Sequence, residues 1–346
     1  MSNTQFKVSR RDFFKGTALG AAMTAVGGNA ASSFAKDSSP TSVPASSYTS
    51  TGRSAQIFSE LVKEPVKILQ ISDSHLFLDD ERGDDYKQYS DRMAKAYNHT
   101  KRYYDGKDTT PTEMLAEIAE EAAKENYDAV ALTGDIVSFP SAAGVDYVKS
   151  CLDKIGAPYY YVCGNHDWHF EGMEGTEREL RDEWIQKRLQ PLYPKGVDPL
   201  CYSVEIKGVK IIMIDDSIYE ILPKQLDFVT RELSENKPSL AFMHIPLYAP
   251  GRRVAYGVGH PDWNAEHDQQ LYKIERRPQW PAEGHNETTY RFRETLLNAP
   301  NLLGVFTGHI HSNSLDVLNG KASQVTSAAL DGSTFKIEIA PYPHKG

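Results

Sequence analysis

Cysteine is scarce in this chain: Cys151, Cys163 and Cys201 are the only three in 346 residues. Three thiols permit at most one disulfide and match no zinc-site spacing, which excludes a disulfide-stapled scaffold and a cysteine-based zinc module. Positive charge is also short. Lys and Arg total 38 against 47 Asp and Glu, for a net charge of −9. The basic footprint of a general nucleic-acid or anionic-membrane binder is therefore missing, and an anionic substrate must be attracted locally, by metal ions or a few arginines. Long hydrophobic runs are lacking too. The stretch "TALGAAMTAVGGNAA" (residues 17–31) is too short and too rich in Gly and Ala for a stable membrane span. What is present, 40% hydrophobic and 25% charged residues, suits a globular protein long enough to bury a substantial core.

The first 35 residues are a separate object. Arg10 and Arg11 in "SRRDFFKG" (residues 9–16), followed by the weakly apolar run and the small-x-small site Ser33-Phe34-Ala35, resemble a twin-arginine export signal. Cleavage after Ala35 would remove four basic residues and one acid, moving the net charge to −12. The resemblance implies passage through the twin-arginine machinery to the bacterial periplasm or cell envelope, a route that carries proteins already folded. Residues 36–55, rich in Ser, Thr and Pro, read as a flexible linker, so the folded body is expected to start near Gln56.

Within the body, "VKILQIS" (residues 66–72) is a short apolar run that ends in Asp73, Ser74 and His75, the pattern of a buried strand. Thr110-Pro111-Thr112-Glu113 is a capping box with Pro at the first helical position. "DAVALTGD" is the next strand, a helix over residues 144–155 follows, and "YYYVCGNHD" is the third strand. This β-α-β-α-β succession predicts parallel pairing with right-handed crossovers. A helical region near residues 176–190 comes next, then a hairpin around Lys207-Gly208 and a helix opened by Pro223. "SLAFMHIP" and "NLLGVFTGHIH" are strands that each run into histidine, and the last segments are again β. No repeat and no second core is evident, which predicts one domain over residues 56–346.

Strand after strand ends in a metal-capable or acid–base side chain: Asp73 and His75, Asp135, Asn165 and His166, His244, then His309 and His311. Ligands collect outside the carboxyl ends of parallel strands. Imidazole, carboxylate and amide oxygen together suit manganese, iron, zinc or nickel rather than soft copper. The ordered set "DSH … GD … GNHD … H … GHIH" resembles the calcineurin-like metallophosphoesterase superfamily over roughly residues 66–313. That resemblance implies a four-layer α/β/β/α sandwich of two mixed sheets flanked by helices. It implies two divalent transition metal ions: one held by Asp73, His75 and His311, the other by Asn165, His244 and His309, with Asp135 bridging. By the same resemblance His166 serves the leaving group as acid, and Asp167 orients the His166 imidazole.

Departures from relatives narrow the class. Ser138 occupies the position where purple acid phosphatases place a tyrosine ligand, so a ferric–tyrosinate centre is not expected. GNHD rather than GNHE, and the short segment after His311, argue against a 5′-nucleotidase with a separate substrate domain. Two segments are candidate lids: residues 77–104, with Tyr86, Tyr89, Arg92 and Tyr97, and residues 246–290. The second carries Arg252, Arg253, Arg276, Arg277, Trp263 and Trp280 as candidate substrate contacts, since arginine clamps phosphate and tryptophan offers a stacking surface. The two segments are expected to face each other over the metals. Cys163 is expected to be buried behind the metal loop. The implied function is hydrolysis of a small phosphoester by metal-activated hydroxide, with a lean toward phosphodiesters. A phosphomonoesterase acting on nucleotides or sugar or inositol phosphates is the alternative, and a non-catalytic binding protein on the same fold is the rival of another class.

The paired arginines give a first prediction. Replacing Arg10 and Arg11 together with Lys preserves charge but removes the fixed guanidinium geometry, so fractionation should find the precursor retained in the cytoplasm. Unchanged export of the double variant would refute the twin-arginine reading.

Overall fold

The computed structural model describes residues 45–343, which form one compact unit. The export signal and residues 36–44 of the expected linker lie outside the described residues. In chain order the strands are β1 (Ser46–Ser50), β2 (Ser54–Ser59), β3 (Val66–Ile71), the short ribbon β4 (Thr100–Lys101) and β5 (Asp108–Thr109), β6 (Ala129–Thr133) and β7 (Tyr159–Val162). They continue as β8 (Cys201–Ile206), β9 (Val209–Ile214), β10 (Ser239–Phe242), β11 (Leu302–Thr307), β12 (Ser314–Leu318), β13 (Lys321–Val325) and β14 (Phe335–Pro341). One six-stranded sheet has the order β1-β2-β14-β3-β6-β7, the other β12-β13-β11-β10-β9-β8. Both are mixed. The parallel sets β3-β6-β7 and β9-β10-β11 lie within them; the outer strands β1, β8 and β12 pair antiparallel with their neighbours, and the outer strand β7 pairs parallel with β6.

Side-chain alternation builds the layers. Ile211 and Met213 of β9 join Phe242, Phe306, Ile68 and Ile337 in one core, while Ile212 and Ile214 join Leu226, Val229, Phe292 and Leu296 in another. Successive residues of a strand point to opposite faces. The second core therefore lies between the sheet and the helices Pro223–Ser234 and Glu287–Asn298. Helices Pro111–Ala122 and Ala142–Ile155 cover the other sheet, giving the four-layer α/β/β/α sandwich. The Thr110–Glu113 capping box forms as expected, and Lys207 and Gly208 turn the β8–β9 hairpin with φ of 49° and 79°. Tyr202 ties β8 to β7 across the sandwich: its hydroxyl accepts from the Tyr161 N–H at 2.8 Å and donates to the Tyr161 carbonyl at 2.9 Å.

The linker expectation needs correction. Residues 46–50 and 54–59 are not a tether but an antiparallel pair at the edge of the first sheet, and β2 lies parallel to β14. Tyr48 packs against Phe306 and its hydroxyl donates to Gln324. An edge strand that exposes its Ser and Thr side chains carries little apolar signal, so composition alone reads it as a linker.

Asp73 follows β3, Asp135 follows β6, Asn165 and His166 follow β7, His244 follows β10 and His309 follows β11. All five strand ends are carboxyl ends, drawn from both sheets. The fold thus delivers the candidate side chains to one rim of the sandwich. Phe306, fully buried and stacked on Phe242 at 5.3 Å, anchors the core beneath that rim. Phe306→Ala should cost about 3–5 kcal/mol in denaturant unfolding. A loss below about 1 kcal/mol would show that the inter-sheet core is not packed as described.

Candidate metal centre

The motif glycines are there for close approach. A Cβ on Gly134 would lie 2.5 Å from the Gly164 nitrogen and 2.6 Å from His244 Nδ1, and one on Gly308 would collide with Ser72 and Asp73. Beside them the backbone is strained. Asp73, His75, Asp135, His309 and His311 have φ of 56°, 45°, 52°, 72° and 53°, a left-handed region that costs non-glycine residues roughly 1–3 kcal/mol each at functional sites. Five of the seven expected ligands are held this way. Such strain persists only where surrounding structure over-determines it.

The donor atoms converge. His75 Nε2 lies 2.9 Å from His311 Nε2, and His311 Nε2 lies 3.3 Å from Asp73 Oδ1. On the other side His244 Nε2 lies 3.2 Å from both Asn165 Oδ1 and Asp135 Oδ2. The same Asp135 oxygen lies 3.8 Å from His75 Nε2. Three groups of donors result: Asp73/His75/His311, His75/Asp135/His166, and Asp135/His244/His309. Donors bonded to one ion at about 2.0–2.2 Å stand about 3.0–3.5 Å apart. The observed spacings are close to this, and the mix of imidazole and oxygen donors fits divalent transition metals. These residues can hold two ions, with Asp135 common to both halves.

The electrostatics follow from burial. Asp73, Asp135, His75 and His244 are essentially inaccessible. Burial by itself would raise Asp73, but the His311 hydrogen bond and charge outweigh it and bring the carboxyl to about 2. Burial would lower His244, yet the Asp135 carboxylate outweighs it and raises the imidazole to about 10, while Asp135 falls well below the usual carboxylate range. Burial leads for His309 and takes it down to about 4. The centre is a low-dielectric pocket of mutually stabilising charges, a setting in which an added cation interacts strongly.

Surrounding groups aim the ligands. His244 Nδ1 lies 2.8 Å from the Thr133 carbonyl, so Nδ1–H donates there and Nε2 faces the donors. His309 Nε2 lies 3.0 Å from the Ala255 carbonyl and 3.1 Å from the Tyr219 hydroxyl, which turns Nδ1 inward. Tyr97 stacks on His75 with centroids 4.2 Å apart. Asp216, which sequence reasoning missed, accepts the backbone N–H groups of His244 and Ile245 at 3.0 and 3.1 Å. No motif marks it. The one signal was a second acid, after Asp215, at the end of an otherwise apolar strand.

Asp167 does not do what was expected of it. It makes no hydrogen bond to His166; its carboxylate accepts backbone N–H groups from Asp135 and Val137, both at 2.9 Å, and from Gly164 at 2.7 Å. Adjacent residues in an irregular loop point different ways, and this one points back into the protein, binding the β6 loop to the β7 loop. Burial, then the neighbouring Asp135 charge, pushes its carboxyl up to about 7. His166 donates its backbone N–H to Asp135 Oδ1 at 2.8 Å, and its buried Nδ1 has no partner.

The candidate substrate contacts divide. Trp263 and Trp280 are buried, stacked at 5.1 Å, with His285 4.2 Å from Trp263; they are core of the 246–290 segment, not a sugar platform. Arg252 is paired with Asp316, and Arg277 with Asp268 and Glu275, so neither is available to clamp phosphate. Arg253 and Arg276 have no ion pair among the described residues, and Arg253 lies over Tyr256, itself 5.9 Å from His309. Tyr86 and Tyr89 pack on Phe170 as an anchor for their segment. The two segments do meet: Arg92 pairs with Glu171 and donates to the Ile274 carbonyl at 2.8 Å. Cys163 is fully buried, 3.0 Å from the Tyr193 hydroxyl.

A rim of imidazole, carboxylate and amide donors, set at the strand ends of two facing mixed sheets, marks a metal-dependent hydrolase of phosphoester bonds. The sequence profile described as calcineurin-like phosphoesterase matches residues 66–313. The chain belongs to that family. A twin-arginine translocation signal matches residues 7–27, and the protein is exported by that route to the periplasm or envelope. Among the described residues no helix is long and apolar enough to cross a membrane.

A curated relative from Psychrobacter arcticus, described as a probable cyclic nucleotide phosphodiesterase, is 27% identical over 126 residues. That match covers 34% of this chain and 42% of the relative, so it spans less than half of either protein. Among solved structures, a dimetal phosphatase from Danio rerio is 12% identical, with a TM-score of 0.48 over 78% of this chain and 89% of that one. A purple acid phosphatase from yellow lupin (Lupinus luteus) seeds is 11% identical, with a TM-score of 0.45 over 83% and 56%.

The Asp167 geometry is testable. Asp167→Asn puts an amide NH2 against backbone donors and loses at least one of three hydrogen bonds. Metal affinity, read by titration and elemental analysis, should fall about 10–100-fold, the range for groups that support ligands. Affinity within twofold of the parent protein would rule out the positioning role.

Proposed function

We propose that this protein is a dinuclear metal-dependent phosphodiesterase. Asp73, His75 and His311 would hold one ion and Asn165, His244 and His309 the other, with Asp135 shared between them. The observation that carries this reading is the placement of one atom, Asp135 Oδ2, within 3.2 Å of His244 Nε2 and 3.8 Å of His75 Nε2. Two divalent ions so placed supply Lewis acidity toward a phosphoryl oxygen and lower the pKa of a bound water.

The chain's own residues do the rest. Thr133 and Ala255 fix the tautomers of two imidazoles through their carbonyls, and Asp216 and Asp167 hold the loops that carry the ligands. His166, anchored by its backbone to Asp135 and with no side-chain hydrogen bond of its own, stands ready to give a proton to the departing alkoxide.

Preference for a diester is supported by charge. Beside His166 a recess is lined by Glu171, Glu177 and Glu275; Arg92 pairs with the first and Arg277 with the last, which leaves Glu177 as the excess acid. A singly charged diester meets less repulsion there than a dianionic monoester. The similarity to a protein described as a probable cyclic nucleotide phosphodiesterase points the same way, over the third of the chain it covers.

The experiment is hydrolysis of chromogenic diester and monoester substrates by protein reconstituted with manganese, iron, zinc or nickel. Diester kcat/KM should exceed that for monoester, and Asp135→Asn and His166→Ala should each lower it by at least about 100-fold. Monoester preference would move the assignment to a phosphomonoesterase. No turnover with two ions bound would leave a binding protein.

A further inference from the structure

Tyr97 belongs to none of the motif blocks, yet its ring lies against three imidazoles of the metal centre. It stacks on His75 with centroids 4.2 Å apart, lies tilted to His311 at 5.9 Å and meets His166 edge to face at 6.1 Å. His75 and His311 converge on one half of the centre, and His166 stands beside it. The phenol therefore sits where metal ligation and proton donation meet. The hydroxyl of this half-buried residue makes no hydrogen bond among the described residues, and it is not sealed from solvent. A donor so placed is open to a ligand.

The surrounding segment fixes the ring. Tyr97 ends the short helix Met93–Ala96, whose Met93 is buried. Just before that helix, Arg92 pairs with Glu171 and donates to the Ile274 carbonyl at 2.8 Å. Earlier still, Tyr86 and Tyr89 pack on Phe170. A donor held in position before the substrate arrives costs no reorganisation at the moment of reaction.

Phosphoryl transfer spreads negative charge over the equatorial oxygens of the phosphoryl group. An oxygen in contact with metal is neutralised there; one turned away from the metals needs a donor from the protein. Arginine is committed elsewhere: Arg92 to Glu171, Arg277 to Asp268 and Glu275, while Arg253 lies over Tyr256 on the His309 half. A phenol keeps its proton at neutral pH, so it donates without adding a charge to the paired groups around it.

We infer that Tyr97 is a catalytic residue whose O–H donates a hydrogen bond to a non-bridging oxygen of the phosphoryl group, over the Asp73/His75/His311 half of the centre. This rests on the phosphoesterase reading above. The phenol keeps its proton throughout: its hydrogen bond strengthens as charge gathers on that oxygen, while the leaving alkoxide takes its proton from His166.

Tyr97→Phe removes the hydroxyl and leaves the ring on His75, so it separates donation from packing. Metal affinity, read by titration, should stay within about twofold of the parent protein. Calorimetric binding of orthovanadate to the metal-loaded protein should weaken about tenfold, as for one hydrogen bond to a charged acceptor; vanadate is the probe because it adopts the five-coordinate geometry of the transition state. Chromogenic diester hydrolysis should lose about tenfold in kcat with KM little changed, the pattern of an interaction made in the transition state. Vanadate affinity or kcat within about twofold of the parent, or a loss of metal affinity that accounts for both effects, would overturn the assignment. A parent protein that hydrolyses no phosphoester overturns the phosphoesterase reading instead, and vanadate then decides Tyr97 by itself. Weaker binding by the variant at equal metal loading supports the donor; equal binding, or none by the parent, rejects it.

Discussion

The constraint on which this structure depends is the desolvation of charge at one rim of the sandwich. Asp73 and Asp135 are buried, and so are His75 and His244. Ionised groups removed from water cost several kcal/mol each unless opposite charge and hydrogen bonds compensate them. Here compensation comes from pairing imidazole with carboxylate and from backbone N–H donors aimed at carboxylate oxygens. His309 donates its backbone N–H to Asp73, and His166 donates to Asp135. A hydrophobic sandwich without this rim would be a more stable object. That five ligand residues also sit at positive φ means the rim is both poorly solvated and strained, and the rest of the fold must be firm enough to impose it.

Firmness comes from two further buried acids that are not ligands. Asp167 collects three backbone donors from the β6 and β7 loops, and Asp216 collects two from the loop after β10. Each works within one sheet, between loops that side-chain packing cannot join because they have no regular structure. Each replaces the hydrogen bonds that a strand would have made had it continued. Burial raises both acids to about 7, against the backbone N–H donors that pull them down.

Much of this was legible in the sequence, for identifiable reasons. Strands β3, β6, β9 and β11 are buried along most or all of their length and so read as apolar runs. Each of β3, β6 and β11 is followed within two residues by a ligand, which made the rim visible as an order of motifs. β1 was not legible, because an edge strand anchored by a single Tyr48 has the composition of a linker. Asp216 was not legible, because its role lies in where a carboxylate points and not in any neighbouring residue. Trp263 and Trp280 were misread because composition records that a segment has large aromatic surfaces but not whether they face each other or the solvent.

The two long segments that the sequence offered as candidate lids divide the metal centre between them. Tyr97, from residues 77–104, covers His75 on one half, and Ala255, from residues 246–290, fixes His309 on the other. They are joined by Arg92, which holds Glu171 and the Ile274 carbonyl at once. Consequently neither segment is a free lid. A change in one that shifts its outer lining also shifts the imidazole it supports, so substrate preference and metal affinity are coupled through these loops.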